Sequence, residues 1–359
     1  MRTLRLCYAL VPICAALLVA CGTANPTTPA PAAGGSAPAA QPSAKVTITF
    51  QHQFNDAESA KMQELVAKFE AANPNIHVEL IRDNDKSYYD KLTTQMTAGA
   101  GPDIARVEPP KAAQYIAAGY AAPLDDIIPA SDVSQFFPGT LEPLMKDGKL
   151  YGVPQDVAVL LLYYRSDLFQ AAGITAPPKT WDELLADARK LTRAPDQYGI
   201  GLFGGWGAFE FYPWFWQAGG EMLKQVDGKW QPAFNSPEGV AALQFWSDLE
   251  NKYKVMPPGM ATATEDDVKG PFIAGKLAMF TSGPWSVDSL KKAGLDGKWS
   301  AAPLPVGKQA ASVLGGMDLI LLSNSKHKAE AGKFLAWLME DSIQAEWAKS
   351  LNYLPIKQS

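Results

Sequence analysis

The sequence predicts an α/β body with mainly parallel strands, and three observations favour this class. After residue 45, strand-like alternation and helix-like periodicity follow each other in turn, as in sheets whose strands are joined by crossover helices. The chain has 359 residues, which is enough for two lobes with cores of their own. Its 47% hydrophobic and 19% charged residues are typical of a globular protein.

The first 20 residues are typical of a signal peptide. Arg2 and Arg5 precede an apolar run, Cys7 to Ala20, that is too short for a comfortable transmembrane helix. The run ends in LVAC at residues 18–21, which resembles a bacterial lipobox. We therefore expect a lipoprotein signal at 1–20 and lipidation of Cys21. A plain secretory signal with a chance cysteine is the alternative.

Residues 21–44 are predicted to form a lipid-anchored, flexible tether. From residue 22 onward this segment contains only Gly, Ala, Pro, Thr, Ser, Asn and Gln. Anchor and tether together predict a body held at the outer face of the cytoplasmic membrane, in the extracellular or periplasmic space. The three cysteines, Cys7, Cys14 and Cys21, all precede the body, so we expect no disulfide and no cysteine-based metal site in it.

Composition and motifs argue against several function classes. The net charge of −5 gives no electrostatic reason to bind nucleic acid. The sequence has three histidines but neither H-E-x-x-H nor G-x-S-x-G, which disfavours a zinc hydrolase or a serine hydrolase. A G-x-G-x-x-G match at 199–204 follows a turn and runs into aromatic residues rather than a helix, which disfavours a nucleotide site. We expect no cofactor and no metal.

The first half of the body predicts three strands and two helices in alternation. The strands cover about 46–50, 76–81 and 104–107; the helices carry Met62 to Phe69 and Tyr88 to Met96 on their apolar faces. In parallel sheets ligands bind outside the carboxyl ends of the strands, which places residues 51–55 and Glu108 near a site. His52 is either a donor to a ligand there or an ordinary core or surface histidine.

The second half predicts further strands and helices without an internal repeat. Residues 157–164 read as a buried strand, and 277–280 and 313–322 as further strands. Helical patterns cover 181–191, 240–249, 266–274 and 329–339.

An aromatic run, WGAFEFYPWFW at residues 206–216, has seven aromatics in eleven positions. Aromatic faces suit stacking on the C–H faces of sugars, although large aromatics also dominate cores. We expect Trp206, Phe209 and Glu210 to lie in a loop that faces a cleft. We expect Pro213 to open a helix whose first turns bury the aromatics at 214–216.

The most distinctive motif is FIAGKLAMFTSGPW at residues 272–285. We expect Gly275 to end a helix, Lys276 to begin a buried strand, and a Gly283-Pro284 turn to present Trp285. Further short motifs occur along the chain, in this order: FEAANP at 69–74, AG at 98–99 with GPDI at 101–104, GY at 119–120 with PLD at 123–125, YGVP at 151–154, YY at 163–164 with DLF at 167–169, PKTW at 178–181, LGG at 314–316, and Trp347 with YLP at 353–355.

In this series the chain resembles the extracellular solute-binding proteins of sugar ABC transporters, family 1, which are relatives of maltose-binding protein. The resemblance implies a periplasmic-binding-protein-like class II fold, with two α/β lobes of mainly parallel sheets joined by hinge crossings. Lobe 1 would be 45–156 plus 314–352, and lobe 2 would be 157–313 plus 353–359. Relatives usually continue further, so we expect the C-terminal part of lobe 2 to be missing from this chain; a member with a reduced lobe 2 is the alternative.

The resemblance also implies a function: binding of a sugar or oligosaccharide in the cleft between the lobes, without catalysis, and delivery to an ABC permease by a monomer. The substrate-binding residues it implies are His52, Phe54, Asn55, Glu108, Asp156, Trp206, Phe209, Glu210, Trp285, Gly315 and Gly316.

Two alternatives remain open. A non-sugar solute such as a glycerol phosphate diester or a peptide is the first, and a phosphate group would call for Arg82, Arg106 or Lys111. The second is an extracellular glycoside hydrolase, which would need two of the carboxylates at 108, 156 and 210 within about 5 to 10 Å of each other.

Overall fold

The computed structural model describes residues 45–85, 87–205 and 207–358. The predicted signal peptide, the tether, Cys21 and Trp206 lie outside the described residues. The strands are β1 Val46–His52, β2 Ile76–Arg82, β3 Ile104–Val107, β4 Met145–Lys146, β5 Lys149–Leu150, β6 Gly152–Val159, β7 Leu161–Tyr164, β8 Leu223–Val226, β9 Lys229–Pro232, β10 Met279–Ser282, β11 Ser300–Ala302 and β12 Leu314–Leu321. The helices are α1 Asp56–Ala72, α2 Tyr88–Thr97, α3 Pro109–Ala117, α4 Ala130–Val133, α5 Pro138–Leu141, α6 Ser166–Ala171, α7 Trp181–Leu191, α8 Ala208–Gln217, α9 Pro237–Asn251, α10 Glu265–Ile273, α11 Val287–Lys292, α12 Lys328–Leu338 and α13 Asp341–Leu351.

A five-stranded sheet organises the first half of the body, in the order β2-β1-β3-β12-β6. The predicted strand–helix alternation is confirmed here, because β1 pairs in parallel with both β2 and β3. Apolar residues of α1, α12 and α13, including Phe69, Phe334 and Trp347, join this sheet in one buried cluster. We call this cluster the first core.

A second, separate cluster surrounds the three-stranded sheet β10-β7-β11. Helices α7 to α10 contribute Leu184, Trp214, Leu249 and Phe272 to it. We call it the second core. The predicted strand near 277–280 is present as β10, although it begins at Met279 and not at Lys276. Gly275 ends α10 with a φ of +75°, as the sequence indicates.

The expectation of mainly parallel sheets is wrong, because most strand pairs in the two main sheets are antiparallel. β12 runs antiparallel to both β3 and β6, and β7 runs antiparallel to both β10 and β11. The cause is the path of the chain. β6 leads into β7 through Leu160 alone, which carries the chain from the first sheet to the second, and β12 returns beside β6 in the opposite direction. Antiparallel neighbours need no crossover helix between them.

The last residues pack with the first core, although the sequence assigned 353–359 to lobe 2. Ile356 is buried in the first core, and Leu354 forms an antiparallel bridge with Val157. Lys357 donates to Asp341 Oδ1 at 2.7 Å, at the start of α13. The predicted boundary after residue 156 falls inside β6, whereas the predicted return at 314 coincides with the start of β12. The two-lobe division itself stays a prediction.

Within the described ranges, no helix is long and apolar enough to cross a bilayer.

Candidate ligand-binding site

His52 and Phe54 lie together at the carboxyl end of β1. The His52 ring centroid is 4.2 Å from that of Phe54, and both side chains are buried. Burial, followed by the charges of Arg106 and Arg82, lowers the pKa of His52 to about 3. The imidazole is therefore neutral; its Nδ1 accepts from the Phe54 backbone N–H at 3.2 Å, which leaves the proton on Nε2.

Asn55 is the N-cap of α1. Its Oδ1 accepts from the Glu58 N–H at 2.9 Å, and the Glu58 carboxylate accepts from the Asn55 N–H at 2.8 Å, which completes a capping box. The sequence suggested that Asn55 binds the ligand. In the structure, its side-chain oxygen instead accepts a hydrogen bond from the backbone at the start of α1. Glu108 also precedes a helix, since it is the N-cap residue of α3 directly after β3, and its side chain is exposed.

Asp156 belongs to a buried ion network centred on Arg106. The Arg106 Nη2 lies 3.0 Å from Asp156 Oδ2 and 2.9 Å from Glu58 Oε1. The Tyr353 hydroxyl donates to the same Glu58 oxygen at 2.8 Å. Burial raises the pKa of Asp156 to about 6, although Arg106 opposes the shift. The sequence did not indicate this network, because its members are distant along the chain.

Gly316 and Gly315 stand in β12, opposite β6. Gly316 has a φ of +126°, and a Cβ on it would lie 2.1 Å from the Asp156 carbonyl oxygen, so only glycine fits. A Cβ on Gly315 would lie 3.0 Å from Cζ of Phe209. The two glycines therefore let β6 approach β12 from one side and an aromatic ring of α8 approach it from the other.

Phe209 and Glu210 lie in the first turn of α8, and the loop expected for them is wrong. The helix begins at Ala208, after Gly207 with a φ of +68°, so Pro213 is inside it and does not open it. From the sequence we expected no helix after the G-x-G-x-x-G segment at 199–204, but α8 follows it. Proline gives up one helix hydrogen bond. Burial of Trp214 and Phe215, each 1% exposed as the sequence predicts, offsets that loss. The expectation that Trp216 is buried with them is only partly right, because its side chain packs against the second core but stays partly exposed.

The Glu210 carboxyl is buried against the second core, and this burial disfavours its charged form. Thr281 Oγ1 donates to its Oε2 at 2.6 Å, and Oε1 has no hydrogen-bond partner among the described residues. Burial raises the pKa of Glu210 to about 8. A neutral carboxylic acid can donate as well as accept a hydrogen bond.

Trp285 is held by Glu265, a residue that the sequence analysis missed. The Trp285 Nε1 donates to Glu265 Oε1 and Oε2 at 3.0 and 3.1 Å. The Ser282 and Ser286 hydroxyls also donate to Glu265 Oε1. Trp285 is partly buried and stands in a single helical turn after Gly283, so the predicted turn before it is present. The only sequence signal for Glu265 was its place at the start of a helix.

The structure brings the predicted residues together in three groups. His52 and Phe54 lie near Arg106, whose guanidinium carbon is 4.6 Å from the Phe54 ring centroid. Asp156, Gly315, Gly316 and Phe209 meet where β6 and β12 run side by side. Glu210 and Trp285 lie on the second core, each with a polar partner.

Residues 55–345 match the bacterial extracellular solute-binding protein family. The chain belongs to that family. A binding protein of Brucella abortus (strain 2308) is 30% identical over 301 residues, which cover 82% of this chain and 72% of that protein.

Two solved structures resemble this solute-binding protein closely. An ABC transporter solute-binding protein from Thermotoga lettingae, bound with α-D-tagatose, has a TM-score of 0.79 at 31% identity, over 87% of this chain and 82% of that one. A maltose-bound protein of T. maritima has a TM-score of 0.80 at 30% identity, again over 87% and 82%. The class II fold is confirmed.

Proposed function

We propose that this solute-binding protein binds a sugar or oligosaccharide in a cleft between two lobes. The observation that carries the proposal is the position of Phe209, a second-core ring that lies on Gly315 of a strand of the first sheet. Trp285, oriented by Glu265, adds another ring next to polar groups. Aromatic rings exclude water and stack on the C–H faces of a sugar, while polar groups close by can form hydrogen bonds with its hydroxyls. The tagatose- and maltose-bound relatives support this class of ligand.

Binding would act by closing two lobes around the junction of β6 and β12. The proposed lobes are 45–156 plus 314–358 and 157–313, with the last residues moved to the first lobe because they pack with the first core. The two separate cores support such a division. A ligand that contacts both lobes favours the closed state by its differential affinity. The closed form then delivers the sugar to the permease of an ABC importer.

The proposed protein is a monomeric binder and not an enzyme. Two of the three carboxylates that a glycoside hydrolase would use are buried and bonded: Asp156 to Arg106 and Glu210 to Thr281. Membrane attachment through Cys21 and the tether completes the proposal, with the body at the outer face of the cytoplasmic membrane.

A phosphate-bearing ligand is disfavoured chiefly because Arg106, the one buried cation of the three candidates, is already paired; the other two make surface contacts. Arg106 is buried between two carboxylates, and Arg82 lies 2.9 Å from Asp56. Lys111 bonds to Gln114 Oε1 at 3.3 Å and lies 5.4 Å from the Tyr89 ring centroid. A glycerol phosphate diester should therefore leave the melting temperature unchanged.

A thermal-shift screen of saccharides on the full chain tests the proposal. A saccharide present at about 100 times its dissociation constant should add about 2.7 kcal/mol to the free energy of unfolding. Phe209→Ala should reduce that shift, while Trp230→Ala, on the exposed hairpin of β8 and β9, should not. If no saccharide raises the melting temperature, the sugar proposal fails, and release of product from a glycoside would establish a hydrolase instead.

A further inference from the structure

The helix α8 carries three aromatic residues on one face: Phe209, Tyr212 and Trp216. At 3.6 residues per turn, Tyr212 is about 60° and Trp216 about 20° from Phe209 around the helix axis. All three side chains are partly exposed, whereas their neighbours Glu210, Trp214 and Phe215 are buried. We call these three residues the aromatic stripe.

One end of the stripe lies at the proposed cleft, and the other end packs against the second core. At one end, Phe209 lies on Gly315. At the other end, the Trp216 carbonyl accepts from Gln309 Nε2 at 2.8 Å, and the Gln217 carbonyl accepts from the Lys308 N–H at 2.7 Å. The helix therefore runs alongside residues 308–315, which include the start of β12.

The outer part of the stripe is fixed in place without a ligand. The rings of Tyr212 and Trp216 stack with centroids 5.2 Å apart and an interplanar angle of 22°. Mutual stacking restricts the rotamers of both side chains, so a ligand would lose less free energy in ordering them. A fixed apolar wall of this kind suits the C–H faces of sugar rings.

Family membership does not decide the length of the ligand. One solved relative holds tagatose, a monosaccharide, and another holds maltose, a disaccharide. The stripe does bear on length, because Phe209 and Trp216 are seven residues apart, or about 10 Å along the helix. That span exceeds one sugar ring and accommodates further rings beyond the one at Phe209.

We propose that the ligand is an oligosaccharide of three or more rings, and that Tyr212 and Trp216 contact the rings beyond the one at Phe209. This inference rests on the proposed sugar-binding function. It assigns Tyr212 and Trp216 a role in selecting ligand length.

Calorimetric titration of the full chain tests the inference with matched sets of sugars, each a monosaccharide (the monomer) and its linear trisaccharide (the trimer). The probes are glucose, mannose, galactose and xylose, each with its α- or β-linked trimer. At least one trimer should bind ten times or more tightly than its own monomer. Trp216→Ala and Tyr212→Ala should each weaken that trimer about fivefold to tenfold, as expected for one aromatic contact. Affinity for the monomer should stay the same.

Two variants serve as controls. Trp230→Ala removes an indole that is 65% exposed outside α8 and should change neither affinity. Trp216→Phe keeps an aromatic ring and should retain most of the trimer affinity, which separates lost stacking from lost folding.

Three results would overturn the inference in different ways. If a monomer binds as tightly as its trimer, the stripe does not select length, while the sugar-binding proposal stands. If trimers bind more tightly but Trp216→Ala and Tyr212→Ala leave them unaffected, the extra rings lie elsewhere. If no probe binds, the proposed function fails together with this inference.

Discussion

The role of Arg106 in the structure differs from the role that the sequence suggested. Arg106 was a candidate for binding phosphate, yet its guanidinium is buried between Glu58 and Asp156. Charges removed from water are tolerated when each has a partner, and they become costly when one partner is lost. Arg106 thus joins α1, β3 and β6.

Replacing Arg106 should destabilise the protein strongly. Arg106→Met leaves two buried carboxylates without their cation, and we expect a loss of about 3 to 5 kcal/mol in the free energy of unfolding. Arg82→Met is the matched control: its partner Asp56 is 85% exposed, and the loss should stay below about 1 kcal/mol. Urea denaturation measures both, and equal losses would contradict the structural role of the network.

Glu210 predicts a pH dependence of stability. Its pKa is about 8 in the folded protein, against an ordinary value of 4.5, so between these values the folded state binds more protons than the unfolded state. The Glu210 contribution therefore makes the free energy of unfolding fall as the pH rises from about 4.5 to 8.

Glu210→Gln removes this titration and keeps a neutral, polar side chain. Relative to wild type, the variant should gain stability as the pH rises through that window. Melting temperatures between pH 5 and 8 measure the difference. Glu142→Gln, on the surface, should follow the wild-type curve. A constant difference between Glu210→Gln and wild type would show that Glu210 is charged in the folded state.

At the scale of elements, the start of α1 tests whether Asn55 caps a helix or binds ligand. Asn55→Ala should cost about 1 kcal/mol, because the Glu58 N–H loses its acceptor. Asn55→Asp keeps an acceptor and should restore most of the stability in urea denaturation. Ser236→Ala, at the N-cap of α9, should cost a similar amount.

The same two variants at Asn55 separate the roles when saccharide affinity is also measured. A purely capping residue predicts equal affinity for Asn55→Asp and wild type once both are folded. An affinity that falls in Asn55→Asp despite full stability would show contact with the ligand.

Local patterns predicted the strands and helices of the early alternation and several later elements, and the failures at α8 and in strand direction have physical causes. The early strands and helices alternate as expected, since each element repeats its own apolar period. The start of α8 was missed because seven aromatics in eleven residues hide any period, and because Pro213 reads as a helix start. Strand direction was missed because the antiparallel pairing of β12 with β3 and β6 joins residues far apart in sequence.

The candidate site was predictable only in outline. The order of the motifs indicated Trp285, Gly315 and Gly316 as site residues. The two glycines lie where β6 and β12 pair. The buried partners Arg106, Glu265 and Thr281 could not be inferred, because long-range ion pairs and hydrogen bonds leave no local pattern. Those partners decide which polar residues are already satisfied before a ligand arrives.

At the scale of the whole molecule, the proposed lobe closure predicts a measurable contraction. The saccharide with the largest thermal shift should decrease the radius of gyration of the full chain in small-angle scattering, because a ligand that contacts both cores favours the closed state. Phe209→Ala should require more saccharide for the same contraction. An unchanged radius at saturation would show that binding occurs without lobe movement.

The position of the cysteines has a practical consequence for such experiments. All three lie at or before residue 21, so the body from residue 45 to 358 offers no native thiol to a maleimide dye. One cysteine introduced near each core, in a variant with the native cysteines replaced, would accept a donor and an acceptor fluorophore without background labelling. The distance between the cores could then be followed in single molecules as sugar is added.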